Sequence, residues 1–249
     1  MGRRFGGGPS SRYADYATMS QTLGRRTFLA TSLGAFATPA AARGSRLLHR
    51  DDFRRGLGQW SVETEAPSRI EARRGILDID APKGATLWFR ERIVAPTAID
   101  IDITAVSAGG PNDAVSDVNF FWMASDPGVL GGNPTGRRSG AFAEYDTLRT
   151  YYAGIGGNRN TSTRMRRYVG RAGERPLLPE HDLSAPGDLL APNREMRIRI
   201  VTAVGRTALL RDGGTVFTLD DAQPYRSGWF ALRTTQSHLR VRRFRVWRL

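Results

Sequence analysis

The chain has 249 residues, a formal net charge of +13 and no cysteine. The lack of cysteine excludes disulfides, thiolate catalysis, cysteine zinc sites and iron–sulfur clusters. A multi-histidine metal centre would need His49, His181 and His238, the only histidines, to converge, so we expect none.

Residues 24–42 have the pattern of an export signal. Arg25 and Arg26 precede a short apolar run, which closes on small residues ending at Ala42. This pattern is typical of a twin-arginine signal peptide cleaved after Ala42, and the apolar run is too short to span a bilayer. We therefore expect an exported, periplasmic or extracellular protein with no stable membrane insertion, in which residues 1–42 are extension and signal and residues 43–249 are one domain.

Short β-strand patterns separated by turn signals recur after residue 74, and helical periodicity is nearly absent. The predicted strands are 75–79, 85–93, 98–106, 115–123, 150–155, 163–169, 195–203, 207–211, 215–219, 228–234 and 239–248. Many short strands at even spacing are typical of a sandwich or jelly roll. The sequence therefore predicts an all-β sandwich of two antiparallel sheets.

Within the predicted strand at 115–123, residues 117–123 alternate in a way that separates two faces. One face carries Val118, Phe120 and Trp122, and the other carries Asp117, Asn119 and Phe121. We expect the first face to pack on the core. The face with Asp117 and Asn119 is then the candidate functional face.

Several segments resemble secreted sandwich proteins. The segment DDFRRGLGQW at 51–60 looks like the opening strand of concanavalin A-like (laminin-G-like) jelly rolls, and the segments at 228–238 and 241–246 resemble their closing strands. The block YYAGIGGNRNTSTRMRRY at 151–168 is similar to a secreted bacterial family without an assigned activity, encountered among polysaccharide-degrading proteins. The resemblance implies a concanavalin A-like jelly-roll sandwich over essentially all of residues 43–249.

The block at 151–168 holds the densest supply of groups that recognise sugars. Planar amides and guanidinium groups hydrogen-bond sugar hydroxyls and carboxylates. We predict as catalytic residues Tyr168, His238, Tyr152 and Arg164, and as substrate-binding residues Asn158, Asn160, Arg166, Arg233, Asn119, Asp117, Glu144 and Tyr145. The alternative is a structural hairpin whose amides and glycines satisfy turn geometry and whose arginines face solvent.

The reaction that we predict is β-elimination of a uronic-acid-containing polysaccharide or oligosaccharide. This reaction needs a group that neutralises the carboxylate, a base for the C5 proton and an acid for the leaving oxygen. The candidates for the first role are Arg164, Arg233 and Asn119, and those for base and acid are Tyr152, Tyr168 and His238, provided that a neighbouring arginine lowers the phenol pKa. Segments 152–160 and 236–238 loosely resemble motifs of jelly-roll polysaccharide lyases, but the first lacks their lysine and the second lies on the last hairpin.

Other functions stay open. A glycoside hydrolase on the same fold needs two facing carboxylates. Glu144 and Asp146 share a strand face if that stretch is extended, and Asp117 is a third candidate, but ion pairs with the abundant arginines are the explanation of these acids that we prefer. A non-catalytic carbohydrate-binding module and a structural envelope protein are the further alternatives.

The positive net charge of the chain indicates what kind of partner it binds. Lys83 is the only lysine, so an arginine-rich genome explains the basic balance without any function, whereas affinity for a polyanion is the functional interpretation. Because exported proteins rarely meet nucleic acid, we expect an acidic polysaccharide or oligosaccharide and no nucleic acid. Asp212, Asp220 and Asp221 lie in turns that can supply oxygen ligands, but their spacing matches no calcium-loop motif, so we expect no cofactor.

Overall fold

The computed structural model describes residues 44–249, so the export signal predicted at 24–42 lies outside the described residues. This part of the chain forms strands β1 (Arg46–Asp51), β2 (Trp60–Thr64), β3 (Arg69–Arg73), β4 (Ile76–Phe89), β5 (Ile93–Val94), β6 (Thr97–Ala105), β7 (Val118–Ser125), β8 (Arg149–Gly156), β9 (Ser162–Val169), β10 (Asp182–Leu183), β11 (Glu195–Ala203), β12 (Arg206–Arg211), β13 (Gly214–Asp220) and β14 (Ser227–Arg248). The remaining elements are single turns at Leu130–Gly132, Phe142–Tyr145, Gly157–Asn160, Pro179–His181 and Pro186–Asp188.

The strands form one antiparallel sheet that curls into two layers. The hydrogen-bonded order is β10-β9-β8-β7-β14-β6-β11-β12-β13, with β4 along the other side of β14 and β2 and β3 outside β4. The first half of β14 pairs with β7, and its second half pairs with β6 and β1. We call β7 to β10 with the first half of β14 the front layer, and β6, β11, β12, β13 with the second half of β14 the back layer.

Strand β14 serves both layers because its pairing breaks near its middle. The register with β4 shifts between Thr235 and Ser237, and Gln236 between them has a left-handed φ of 50°. Gln236 lies opposite two residues of β4, Pro82 and Lys83, and an irregularity of this kind bends and twists the strands. The bend lets 22 consecutive residues leave one layer and enter the other.

The main core fills the space between the layers. Val118, Phe120 and Trp122 of β7 lie in it with Ile198 and Ile200 of β11. The indole nitrogen of Trp122 also donates to the Thr207 hydroxyl of β12 at 2.9 Å, so the two layers contact each other directly. A second, smaller cluster of aromatic rings lies on the other surface of the front layer, which we call its outer face.

The predicted all-β jelly-roll sandwich is confirmed, and the alternation predicted for 117–123 holds up to Trp122, with Asn119 and Phe121 facing away from the main core, before Met123 joins Trp122 in that core. The predicted boundaries differ in places. The two segments at 75–79 and 85–93 form the single strand β4, and those at 228–234 and 239–248 form β14. The segment at 51–60 is mainly the turn between β1 and β2 rather than a strand.

Candidate functional site

A cavity of about 450 Å³ opens on the outer face of the front layer. Its walls come from β8, β9, the turn that joins these strands, the segment before β7 and the middle of β14. The lining residues are Asp117, Phe142, Tyr152, Gly154, Gly157, Asn158, Ser162, Arg164, Arg166, Tyr168, Arg175 and Thr235. Six of the twelve residues predicted as catalytic or substrate-binding line it: Asp117, Tyr152, Asn158, Arg164, Arg166 and Tyr168.

Two buried phenols form the aromatic side of the cavity. The rings of Tyr152 and Tyr168 lie 5.5 Å apart, and both contact Phe121 beneath them. The Tyr152 hydroxyl donates to Asn119 Oδ1 at 2.8 Å. This close approach requires Gly154, because a Cβ there would lie 2.5 Å from both oxygens. Burial raises the pKa of Tyr152 well above its ordinary value, so the phenol keeps its proton.

The Tyr168 hydroxyl has no hydrogen-bond acceptor among the described residues, although the residue is fully buried. The guanidinium of Arg175 can donate to this oxygen but cannot accept its proton. Burial raises the pKa of Tyr168 to about 12, and Arg175 lowers it only in part. Tyr168 therefore presents an unused proton donor at the cavity.

Asp117 places a carboxyl group inside the cavity. Its Oδ1 accepts from the backbone N–H of Thr235 at 2.7 Å and from the Thr234 hydroxyl at 3.4 Å. Burial raises the pKa of Asp117, although the nearby amide of Asn119 and the guanidinium of Arg233 lower it in part. A carboxyl group with a raised pKa can hold a proton closer to neutral pH than an exposed aspartate does.

Arg233 is buried at 1% exposure behind this carboxyl group and does not line the cavity. Its guanidinium donates to the Gly140 carbonyl oxygen at 3.1 Å and to the Thr235 hydroxyl at 2.5 Å. The same group lies 4.7 Å from the centre of the Phe142 ring, within cation–π range. Arg233 thus supports the cavity wall and supplies positive charge near Asp117.

Three arginines surround the cavity, and they differ in how they are held. Arg164 pairs with Asp182 through two hydrogen bonds of 2.7 and 3.2 Å, and Arg175 lies 3.3 Å from a carboxylate oxygen of Asp146. Arg166 uses one guanidinium nitrogen to bind the Arg175 carbonyl oxygen at 2.7 Å. Because a guanidinium has five N–H donors, Arg166 keeps most of its hydrogen-bonding capacity for a ligand.

The turn between β8 and β9 has an unusual backbone. Asn158, Arg159 and Asn160 all adopt left-handed φ values, between 53° and 59°. Asn158 lies at the cavity and donates to the Ser162 hydroxyl at 3.1 Å. Asn160 does not line the cavity, because its amide binds both the N–H and the carbonyl of Leu190.

His238 lies away from the cavity, beyond the break in β14. Its Nδ1 is 2.9 Å from an Asp113 oxygen, and its Nε2 is 3.2 Å from an oxygen of Asp78. Although burial alone would raise the pKa of Asp78, hydrogen bonds from His238 and Arg240 hold it below its usual range. The structure therefore does not bring the predicted His238 and Tyr168 together.

The stretch around Glu144 is a single helical turn, Phe142–Tyr145, and not the extended strand that a shared face for Glu144 and Asp146 would require. Glu144 is exposed and accepts from the N–H and hydroxyl of Ser139. Tyr145 is fully buried and donates to Glu63 at 2.7 Å. Neither Glu144 nor Tyr145 lines the cavity.

Sequence reasoning missed Phe142, Ser162, Arg175 and Thr235 as lining residues. Ser162 lies inside the motif at 151–168, and Thr235 inside the one at 228–238, so their positions carried a signal. Phe142 and Arg175 lie in connecting segments with no motif. Only the path of those loops brings them to the cavity.

No cluster of three or more histidine, aspartate or glutamate side chains that could hold a metal occurs among residues 44–249. The aspartates considered for calcium have protein partners: Asp212 accepts from the Arg197 N–H, Asp220 pairs with Arg206, and Asp221 binds Tyr151 and Arg167. Within the same residues, no helix has the length and apolar character needed to cross a membrane.

The fold is similar to that of several solved structures. A protein of unknown function with a galectin-like fold from Bacillus subtilis matches with a TM-score of 0.58 and 14% identity, covering 80% of this chain and 94% of its own. LamA from Z. galactanivorans, in complex with laminaritriose and laminaritetraose, matches with a TM-score of 0.55 and 13% identity, covering 81% of this chain and 98% of its own. The endo-beta-1,3-glucanase from Pyrococcus furiosus matches with a TM-score of 0.52 and 12% identity, covering 82% of this chain and 94% of its own. Similarity at these identities shows the fold alone.

At the level of sequence, no curated protein matches the chain. A family model does match, over residues 79–244, and its description is "Domain of unknown function (DUF6250)". The matched range runs from β4 to the last third of β14 and includes every residue that lines the cavity. This chain therefore belongs to the DUF6250 family.

Proposed function

We propose that the protein is carbohydrate-active and that the front-layer cavity binds a saccharide, with a preference for sugars that carry a carboxylate. One observation carries the proposal: two buried phenols, the Asp117 carboxyl group and the Arg166 guanidinium line the same cavity, and only one guanidinium nitrogen of Arg166 is used in a hydrogen bond to the protein. Aromatic rings present apolar surface to a pyranose, while the polar groups fix its orientation. Arg166 is the group that distinguishes a charged sugar from a neutral one.

The fold neighbours support a saccharide as the ligand class. LamA was solved with two oligosaccharides bound, and the Pyrococcus furiosus protein is named as an endo-beta-1,3-glucanase. The acidic character of the ligand rests instead on the arginines of this chain. The two lines of support are independent, since one comes from the fold and the other from the lining of the cavity.

Binding without elimination is the form of the proposal that the geometry favours. β-Elimination needs a base, and burial raises the pKa of both Tyr152 and Tyr168, which keeps each phenol protonated at neutral pH. His238 is held by two carboxylates outside the cavity. Elimination of uronates therefore stays a prediction for which none of the three residues predicted as base, Tyr152, Tyr168 and His238, is both ionised and in the cavity.

Glycoside hydrolysis is the second candidate, and the raised pKa of Asp117 favours it. A general acid must hold a proton at working pH, and burial of Asp117 moves its pKa in that direction. Among the described residues that line the cavity, however, Asp117 is the only carboxylic acid. Hydrolysis in its usual form requires a second one on the opposite side of the sugar.

We further propose that the protein is exported by the twin-arginine route, through the signal at residues 24–42. An absence of cysteine suits a protein that folds before it leaves the cytoplasm, since no disulfide has to form afterwards. An exported protein meets polysaccharides outside the cytoplasm, which agrees with the ligand class.

The test uses the full chain, polygalacturonate oligosaccharides and neutral laminari-oligosaccharides. Calorimetry measures binding, ultraviolet absorbance detects unsaturated products, and a reducing-end assay detects hydrolysis. We expect binding of the acidic sugar with no unsaturated product. Arg166→Gln should weaken that binding by about 1.5 to 3 kcal/mol, about 10- to 150-fold, because it removes hydrogen bonds to a charged group.

Arg248→Gln is the matched control, since Arg248 is an exposed arginine of β14 that does not line the cavity. It should change the affinity less than twofold. Equal loss in both variants would mean that net charge alone attracts the sugar. Release of unsaturated product would restore elimination as the function, and new reducing ends that disappear in Asp117→Asn would establish hydrolysis.

A further inference from the structure

The back layer carries a second groove, of about 250 Å³, on its own outer face. Ile99, Ile101, Ile198 and Ile200 point into the main core, so the residues that alternate with them point outward. These outward residues and their neighbours on β14 bring four arginines and two aspartates to the groove: Arg197, Arg199, Arg243, Arg245, Asp100 and Asp102. None of them lines the front-layer cavity.

The strand register arranges these charges in two rows across β11, β6 and β14. In one row, Asp100 lies between Arg199 and Arg245. In the next row, Asp102 lies between Arg197 and Arg242. Successive outward residues on a strand are about 7 Å apart and neighbouring strands about 4.8 Å apart, so each row brings a carboxylate within reach of the arginines beside it.

The two carboxylates do not neutralise all of the arginines. Asp100 binds Arg199 at 3.0 Å and the Trp247 indole nitrogen at 2.7 Å. Asp102 binds Arg243 at 2.5 Å.

Arg197 and Arg245 are exposed, and within residues 44–249 no ion pair or hydrogen bond involves the guanidinium group of either. The groove therefore has two free cations at opposite corners, about 12 Å apart at their Cα positions.

The groove also has an apolar part. Leu210 of β12 lies directly opposite Arg199 in the register, is 8% exposed and lines the groove. A surface with a small apolar floor and widely spaced cations suits a sugar ring that carries one carboxylate. Duplex DNA, by contrast, carries one charge per about 1.7 Å, far denser than these two arginines.

We propose that this back-layer groove is a second binding site, for an acidic polysaccharide held through Arg197 and Arg245. It is separate from the front-layer cavity and goes beyond the function proposed for it. Two sites on one chain allow a long polymer, or two polymers, to be held at once, which raises the overall affinity above that of either site.

The experiment measures binding of the full chain to immobilised polygalacturonate at several salt concentrations. In Arg197→Gln/Arg245→Gln we expect about a fivefold to tenfold weaker affinity and a salt dependence whose log–log slope falls by about two, one for each lost contact. The control Arg46→Gln/Arg248→Gln removes the same charge from two exposed arginines that line neither site. It should change the affinity less than twofold, and both double variants should keep the melting temperature.

A third variant, Arg166→Gln, distinguishes failure of the groove proposal from failure of the cavity proposal. If the cavity proposal fails, Arg166→Gln has no effect while Arg197→Gln/Arg245→Gln still weakens binding. Equal weakening by the two double variants would overturn the groove proposal, because it would show attraction by net charge alone. The proposal is also overturned if anionic phosphatidylglycerol vesicles or duplex DNA bind this groove more tightly than polygalacturonate does.

Discussion

Replacing Tyr168 with phenylalanine should leave the free energy of unfolding unchanged or raise it by about 1 kcal/mol. The Tyr168 hydroxyl is buried without an acceptor, and a buried polar group that lacks a partner costs about 1 to 3 kcal/mol. Part of this cost is offset by the positive charge of the nearby Arg175 guanidinium, which lowers the pKa of Tyr168 in part. The phenylalanine ring keeps the contacts with Phe121 and Tyr152.

Tyr152→Phe is the matched comparison, because it removes the same atom from the neighbouring ring. The Tyr152 hydroxyl donates to Asn119 Oδ1 at 2.8 Å, and Asn119 is buried. Its loss leaves that oxygen without a donor, and the Asn119 amide nitrogen already has no hydrogen bond of standard geometry. We expect a destabilisation of about 1 to 3 kcal/mol.

Urea denaturation of the two variants and the wild type, followed by tryptophan fluorescence, measures both effects on one scale. The reasoning is refuted if Tyr168→Phe destabilises the protein as much as Tyr152→Phe does, because the Tyr168 hydroxyl would then have a partner in the folded state. A second measurement concerns the ligand. Tyr168→Phe should weaken saccharide binding by about 0.5 to 1.5 kcal/mol, the worth of one hydrogen bond.

The remaining predictions concern Asp117, Gly154 and the export signal. Burial raises the pKa of Asp117 in the folded protein. The stability that its protonated carboxyl group contributes is therefore fully present below the unfolded pKa of about 3.9, and it is lost as the pH rises through the higher pKa of the folded state. Urea denaturation should therefore show Asp117→Asn gaining stability relative to the wild type between pH 3 and pH 7, by about 1.4 kcal/mol per unit of pKa difference, whereas a constant offset would contradict the shift. Gly154→Ala should lower the melting temperature, since its Cβ would lie 2.5 Å from two oxygens, and Gly58→Ala, with open space around it, should not. Arg25→Lys/Arg26→Lys should leave unprocessed precursor in the cytoplasm, and continued processing near residue 43 would disprove the signal, as cell fractionation and N-terminal sequencing would reveal.

The local pattern of the sequence was sufficient for the fold class. Alternation at 117–123 and in the strand around Ile198 and Ile200 follows from the two-residue period of a strand, so it could be recognised without the structure. The residues Asp212 and Gly213 are an equally local signal for a hairpin turn, and in the structure both adopt the left-handed φ values that such turns require. The continuity of β14, by contrast, could not be predicted from a local pattern. A single strand crosses the break at Gln236 because both flanking halves pair with β4, which no short window reveals.

The proximity of Tyr152, Tyr168 and Arg166 in one cavity could also be predicted from the sequence, because β8 and β9 are joined by a short turn and pair directly. Which distant residues join them depends on how the layers fold together. Asp117 reaches the cavity because it binds Thr235 of β14, whereas His238, three residues further on, is directed to Asp113 and Asp78. The cause is the irregularity of β14 at Gln236: Phe230 and Leu232 face the main core before it and Leu239 and Val241 after it, and the sequence does not show where such an irregularity falls.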